Sequence, residues 1–152
     1  MTPDKSIASV GGVTDAPQSP AIAVGAPQPS AMRSALILFA HGSRDPDWAQ
    51  PFRAIQQKVS AKNPNVTVEL AFLQFMQPAL ADAIDRLAAT GHVRFTIAPL
   101  FMAEGAHLKR DLANLVAELH ERHRGVDLRL LPAAGEAESV LDAISAWVAS
   151  AL

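Results

Sequence analysis

The sequence predicts an α/β fold, a flavodoxin-like sheet of four parallel strands in the order 2-1-3-4 with helices on both faces. Two observations carry the prediction. From residue 35 onward, short apolar runs that read as strands alternate strictly with stretches whose apolar residues recur three or four apart. The connections between them are short. Strands joined through helical crossovers must run parallel, and right-handed crossovers bury such a sheet between helical layers.

Residues 35–40 (ALILFA) form the first strand, apolar throughout as befits burial on both sides. Trp48, Phe52, Ile55 and Val59 follow at intervals of four, three and four, which is one face of a helix. Residues 66–73 (VTVELAFL) form the second strand, β-branched at its start. Pro78 is expected in the first turn of the second helix; Leu80, Ile84 and Leu87 give its apolar face and Gly91 its end. Residues 93–98 (VRFTIA) form the third strand, closed by Pro99. Leu108, Leu112, Leu115, Val116 and Leu119 mark the third helix, which ends near Gly125. Residues 126–131 (VDLRLL) form the fourth strand, stopped by Pro132. Val140, Leu141, Ile144, Trp147 and Val148 mark the last helix.

Residues 1–34 have a different texture. They hold five of the 11 prolines, only four charges (Asp4, Lys5, Asp15, Arg33) and no hydrophobic periodicity. Such a stretch cannot bury enough apolar surface to offset its chain entropy. It is expected to be a disordered tail on a single domain over residues 35–152. The apolar stretch at 21–26 is too short for a signal peptide and lacks a basic lead. No apolar run approaches the ~18 residues that span a bilayer, so the cytoplasm is the expected location.

Composition removes several function classes. There is no cysteine, which excludes a disulfide framework, a zinc-thiolate site, an iron–sulfur cluster and a thiol nucleophile. A formal charge of −2 gives no basic footprint for nucleic acid. Tyrosine is absent, so base-stacking platforms are few. The GxGxxG, Walker and GxSxG patterns are missing. No acidic cluster closes the first strand, as a receiver domain requires, and Ala40 stands where a phosphohistidine phosphatase carries Arg.

In a sheet of this order, ligands bind beyond the carboxyl ends of the strands, where the winding reverses between strands 1 and 3. The two loops there are residues 41–46 (HGSRDP) and 99–107 (PLFMAEGAH), each with one histidine. His41 and His107 are therefore candidates to face each other. Neutral imidazole is the commonest metal ligand. Two of them leave coordination positions open, which suits an ion that must be handed on; a structural zinc site takes four protein ligands. Loop histidines also serve as ordinary hydrogen-bonding residues, and Gly42 and Gly105 as turn glycines. Both readings stand at this level. Ser43 beside His41 is a candidate nucleophile without an evident acid. His92 is expected in the turn at the opposite end of the sheet. His120 and His123 fall near the end of the third helix, where a cation complements the dipole.

Four segments taken together (LILFAHGSRDP, VELAFLQFMQPALADAIDRL, APLFMAEGAHLKRDL and LLPAAGE) resemble the sirohydrochlorin cobaltochelatases in their short, single-domain CbiX form. These belong to the class II tetrapyrrole chelatases, with the siroheme ferrochelatases and the nickel-inserting enzymes. The resemblance runs from about Leu36 to Ala151. It implies a chelatase-like half unit and ATP-independent insertion of a divalent metal into sirohydrochlorin, in cobalamin or siroheme biosynthesis. Co2+ is the first expectation, Fe2+ or Ni2+ the next, with no organic cofactor. His41 and His107 match the family's two histidines and are implied to bind the metal, one of them taking protons from the pyrrole nitrogens.

The chemistry agrees with that implication. Metallation removes two N–H protons while a cation is delivered. Imidazole, with a reference pKa of about 6.5, serves both needs at neutral pH. Activity is expected to fall below pH ~6, where protonated imidazoles repel the ion. The substrate class carries several carboxylates, so Arg44, Lys109 and Arg110 are candidate partners for them. Ser43, Glu104, Gly105 and Phe101 complete the expected substrate-contacting set, with Met102 beside Phe101 in an apolar wall. One departure stands out: family members often carry Glu after Ala-Phe-Leu, and here it is Gln74, which takes no proton. Glu104 is then the carboxylate in reach of the second histidine. A flat macrocycle needs two walls, so the resemblance implies a homodimer, with neither nucleic acid nor membrane as partner. Two other readings stay open: a non-catalytic metal or tetrapyrrole carrier, which Gln74 keeps alive, and a small hydrolase using His41 and Ser43.

Overall fold

The computed structural model describes residues 32–152; the tail expected over residues 1–34 lies, as far as residue 31, outside them. In chain order come β1 (Arg33–Ala40), a 3-10 turn (Pro46–Ala49), α1 (Gln50–Lys62), β2 (Val66–Phe72), α2 (Leu80–Ala89), β3 (His92–Pro99), α3 (Ala106–Arg122), β4 (Asp127–Leu130), a second 3-10 turn (Ala134–Glu136) and α4 (Glu138–Ala149). The strands are all parallel, in the order β2-β1-β3-β4. The expected alternation and strand order hold. β1 starts earlier than expected because Arg33 pairs with His92 and Ser34 with Val66.

Strand residues alternate between two cores. Ala35, Ile37, Phe39, Phe95 and Ile97 point to one face and pack with Leu80, Ile84, Leu112 and Leu119 of α2 and α3. Leu38, Ala40, Leu70 and Phe72 point to the other, against Trp48 and Phe52 at the start of the first helical segment. Full burial of a side chain of this size stabilises the fold by about 1.5–3 kcal/mol, so both layers anchor the sheet. The α2 and α3 layer is tied further at its outer end, where Arg122 and His123 both reach Asp85.

Two local expectations are corrected. Pro78 lies before α2, not in its first turn. Its carbonyl accepts the Phe72 amide at 2.9 Å, and Phe72 bridges to Ala79, so this stretch extends the pairing of β2 before the helix begins. Trp48 sits in the 3-10 turn rather than in α1: Asp45 caps that turn by accepting the Asp47 amide at 3.0 Å, and Pro46 opens it.

α4 has the apolar stripe the sequence shows, yet none of its residues is buried. Its contacts are mainly with the Ala134–Glu136 turn. Among the described residues, no helix is long and apolar enough to cross a membrane.

Candidate active site

The loops that follow β1 and β2 are laid against each other. The Leu73 amide donates to the Ala40 carbonyl at 2.9 Å and the Gln74 amide to the His41 carbonyl at 3.0 Å. Gly42 makes this approach possible. Its φ is +85°, and a Cβ there would stand 1.9 Å from the Gln74 carbonyl oxygen. The loop after β3 is fixed to the end of β1 in turn: the Leu100 amide donates to the Phe39 carbonyl at 2.7 Å. Phe101 then packs edge-on against Phe39, ring centroids 5.5 Å apart.

His41 also packs on Phe101, ring centroids 4.3 Å apart and ring planes tilted by 38°. Phe101 is 1% exposed, so it is a core residue that also presents a surface to His41. His107 stands in the first turn of α3, exposed. Both histidines thus belong to loops or helix ends at the carboxyl edge of neighbouring strands β1 and β3. Arg110 Nη2 donates to His107 Nδ1 at 3.0 Å. A guanidinium only donates, so Nδ1 accepts, and in the neutral ring the proton sits on Nε2.

The remaining expected residues divide. The Arg44 guanidinium lies over the Phe75 ring, 4.9 Å from its centroid. Ser43 Oγ accepts the Asp45 amide at 3.1 Å, which is a turn role. Lys109 is engaged by Glu136 at 3.1 Å. Gly105 is the N-cap of α3, in an extended conformation, and its carbonyl accepts the Lys109 amide. Glu104 is half-buried, and its Oε1 is shut from solvent with no hydrogen-bond partner. Gln74 is exposed beside Phe75. Among the described residues, no three His, Cys, Asp or Glu side chains converge as a metal-holding group.

Sequence reasoning missed Phe75, Gly135 and Glu136. Phe75 has a φ of +63°, which no local signal announces. Exposed Leu73, Phe75 and Met102 add apolar surface at this edge. A small apolar recess, about 90 Å³, opens beside them between Phe39, Leu73, Leu108 and Leu112. A broader trough of about 660 Å³ lies elsewhere, at the opposite edge, among Asp85, His92, Glu121, Arg122 and His123. Its histidines are engaged. His92 Nδ1 donates to the Leu87 carbonyl at 3.1 Å, leaving Nε2 to accept from the Thr67 hydroxyl at 2.9 Å. His123 Nε2 meets Asp85 at 2.6 Å. That hydrogen bond above all holds the Asp85 carboxyl below its ordinary range; burial opposes this, and the Arg122 charge adds to it. At the carboxyl edge, by contrast, the His107 ring is engaged only by Arg110, a partner that can swing aside.

The chain is thus an open, all-parallel α/β protein that carries two histidines beyond the carboxyl edge of β1 and β3. The CbiX family model matches residues 35–151. The chain belongs to the CbiX family. A sirohydrochlorin cobaltochelatase from Methanococcus aeolicus is 33% identical over 82 residues, which is 54% of this chain and 57% of that one. The match thus spans a little over half the length of that curated relative. A CbiX protein from Marinobacter aquaeolei VT8 superposes with a TM-score of 0.68 at 30% identity, covering 77% of this chain and 95% of that one. The sirohydrochlorin chelatase SirB from Bacillus subtilis subspecies spizizenii, solved with cobalt, shares the fold, with a TM-score of 0.66 at 22% identity over 78% of this chain and 51% of that one.

Proposed function

We propose that the protein inserts a divalent metal into sirohydrochlorin without ATP, Co2+ first and Fe2+ or Ni2+ as alternatives, and that His41 and His107 carry the reaction. The observation that supports this reading is the placement of His41 directly after β1 and of His107 in the first turn of α3, which follows the paired strand β3, inside a segment that matches the CbiX family throughout. The name of the archaeal relative supplies the macrocycle and the metal.

In the reaction, one M2+ replaces two pyrrole N–H protons, so two protons leave as the N–metal bonds form. Imidazoles hold the incoming ion weakly enough to release it and accept a proton once it has gone. Glu104, whose Oε1 has no partner, is the proposed carboxylate for the second proton, since Gln74 takes none. Arg44, Arg110 and Lys109 face the macrocycle's carboxylates, and Phe101, Ser43 and Gly105 shape the floor of the cleft. His107 has no open lone pair while Arg110 occupies Nδ1 and the proton sits on Nε2. Arg110 swings aside, drawn by a substrate carboxylate or displaced by the incoming ion, which frees Nδ1. A second copy of the chain supplies the opposite wall, so the working unit is a homodimer.

The test is an incubation of protein, sirohydrochlorin and Co2+, followed by the absorbance of the metallated product. Product far in excess of protein is expected, with loss of turnover in His41→Ala and His107→Ala and retention in Ser43→Ala. A plateau at one equivalent would make the protein a carrier. Undiminished turnover in both histidine variants would overturn the reading.

A further inference from the structure

One short turn reaches the supports of both histidines. The Leu131 amide still pairs with the Ile97 carbonyl of β3 at 2.9 Å. Pro132 then stops the strand, since it has no amide to give. The chain turns back across the loop after β3, with Ala133 buried in the α2 and α3 core and the 3-10 turn Ala134–Glu136 behind it.

The first contact is backbone on backbone. The Gly135 amide donates to the Phe101 carbonyl at 2.9 Å. A Cβ on Gly135 would stand 1.7 Å from the Met102 carbonyl oxygen and 2.8 Å from the Met102 Cα, atoms that cannot rotate aside. Gly135 lies outside the left-handed region, so its conformation would accept alanine and the contact alone demands glycine. The residue held in this way is the one on which the His41 ring packs.

The second contact is between side chains. Glu136 Oε1 accepts from Lys109 Nζ at 3.1 Å. Lys109 lies two residues past His107 and beside Arg110, whose guanidinium holds His107 Nδ1. Both members of the pair are exposed, so it adds little to stability. Between the two anchors, Met102, Ala103 and Glu104 make no backbone hydrogen bond among the described residues. The loop that leads from Phe101 to α3 therefore does not hold its own shape; the turn after β4 grips it at both ends.

We propose that the turn Ala134–Glu136 is a positioning element for the two imidazoles. Gly135 sets the place of Phe101 and so of His41, and Glu136 sets the first turn of α3 and so of His107. One turn thereby fixes the separation of the two rings. Both residues act through their neighbours and touch neither ion nor macrocycle. The inference rests on the reading above only in taking His41 and His107 as the pair that meets the ion.

The test uses the full-length chain with Co2+ alone, then with sirohydrochlorin. Gly135→Ala, Glu136→Gln and Gly91→Ala are compared with the unmodified chain. Gly91 is the stability control: its φ is +89°, nothing lies within 4 Å of a Cβ there, and it precedes β3 at the far edge. The readouts are melting temperature, Co2+ affinity by calorimetry, the visible absorption of bound Co2+, which reports its coordination geometry, and turnover at saturating sirohydrochlorin. Gly135→Ala is expected to weaken Co2+ binding about 10- to 100-fold, to alter the spectrum and to lower turnover. Glu136→Gln is expected to lower affinity and turnover about two- to fivefold at unchanged melting temperature, with an altered spectrum that loss of charge alone would not give. Gly91→Ala is expected to melt earlier with affinity, spectrum and turnover unchanged. Should Gly135→Ala fail to fold, Glu136→Gln decides. An unchanged spectrum of bound Co2+ in Glu136→Gln and in folded Gly135→Ala would overturn the positioning role alone. Absence of turnover in an unmodified chain that binds Co2+ through both histidines would overturn the chelatase reading, while altered spectra in the variants would still support the positioning role. Co2+ binding that survives intact in His41→Ala and His107→Ala would overturn both.

Discussion

Replacing Gly42 with alanine measures how closely the loop after β1 is bound to the loop after β2. Two penalties are separable. The first is conformational: φ at Gly42 is +85°, and a left-handed L-residue costs about 1–2 kcal/mol. The second is steric. The new Cβ would lie 1.9 Å from the Gln74 carbonyl oxygen, a backbone atom that cannot rotate aside. Relieving it means parting the loops, at about 1–3 kcal/mol for overpacking, and weakening the Gln74 amide bond to the His41 carbonyl, worth about 0.5–1.5 kcal/mol. The sum is about 3–6 kcal/mol. Gly91 provides the control, since its φ is +89° and nothing lies within 4 Å of a Cβ there. Gly91→Ala should lose only the conformational part. Urea unfolding of both variants, followed by circular dichroism, should give losses that differ by about 2 kcal/mol or more. Metallation should fall in Gly42→Ala alone, because His41 moves with its carbonyl. Equal losses in the two variants would refute the close approach.

Other outcomes follow from single contacts. Arg110→Ala removes a positive charge and a competing donor from His107; at about 5 Å in water that charge opposes a divalent ion by roughly 1–2 kcal/mol, so calorimetry should show Co2+ binding tightened about five- to thirtyfold, and unchanged affinity would contradict the occupied Nδ1. Asp85 is held below its ordinary pKa by His123 and Arg122, so its contribution to stability is full above the unfolded-state value near ~3.9 and is lost as pH falls through the lower folded value; the stability gap between the protein and Asp85→Asn should therefore narrow on acidification below pH ~4, and a gap independent of pH would exclude the linkage. His92→Ala should lose about 1–3 kcal/mol, from two hydrogen bonds and burial at the far edge, with Co2+ binding unaltered; weakened metal binding in that variant would tie the far edge to the site.

The parts of the fold that were legible in the sequence are those that burial writes locally. Ile37 and Phe39 alternate with Leu38 and Ala40 because the two faces of β1 enter different cores, and the result is an unbroken apolar run. Topology brings the loop that begins at His41 and the loop that leads to His107 to one edge, since paired parallel strands end together. The misses are tertiary choices. Pro78 is a good first-turn residue, but its carbonyl is taken by Phe72. The partner of Lys109 was hidden, because Glu136 arrives beside it only after β4 has been laid down. The Arg110–His107 pair was within reach, because residues three apart on a helix are neighbours. The stripe on α4 reads as a core-facing face in the sequence, yet none of its residues is buried, because periodicity does not say what a stripe packs against.

Cobalt K-edge absorption on the Co2+-loaded protein, with His41→Ala and His107→Ala beside it, tests the paired imidazoles most directly. One ion per chain with two histidine nitrogens at about 2.1 Å, reduced to one nitrogen and weakened binding in each variant, is the predicted result. Full occupancy with an unchanged nitrogen shell in either variant would show that the two rings do not share an ion.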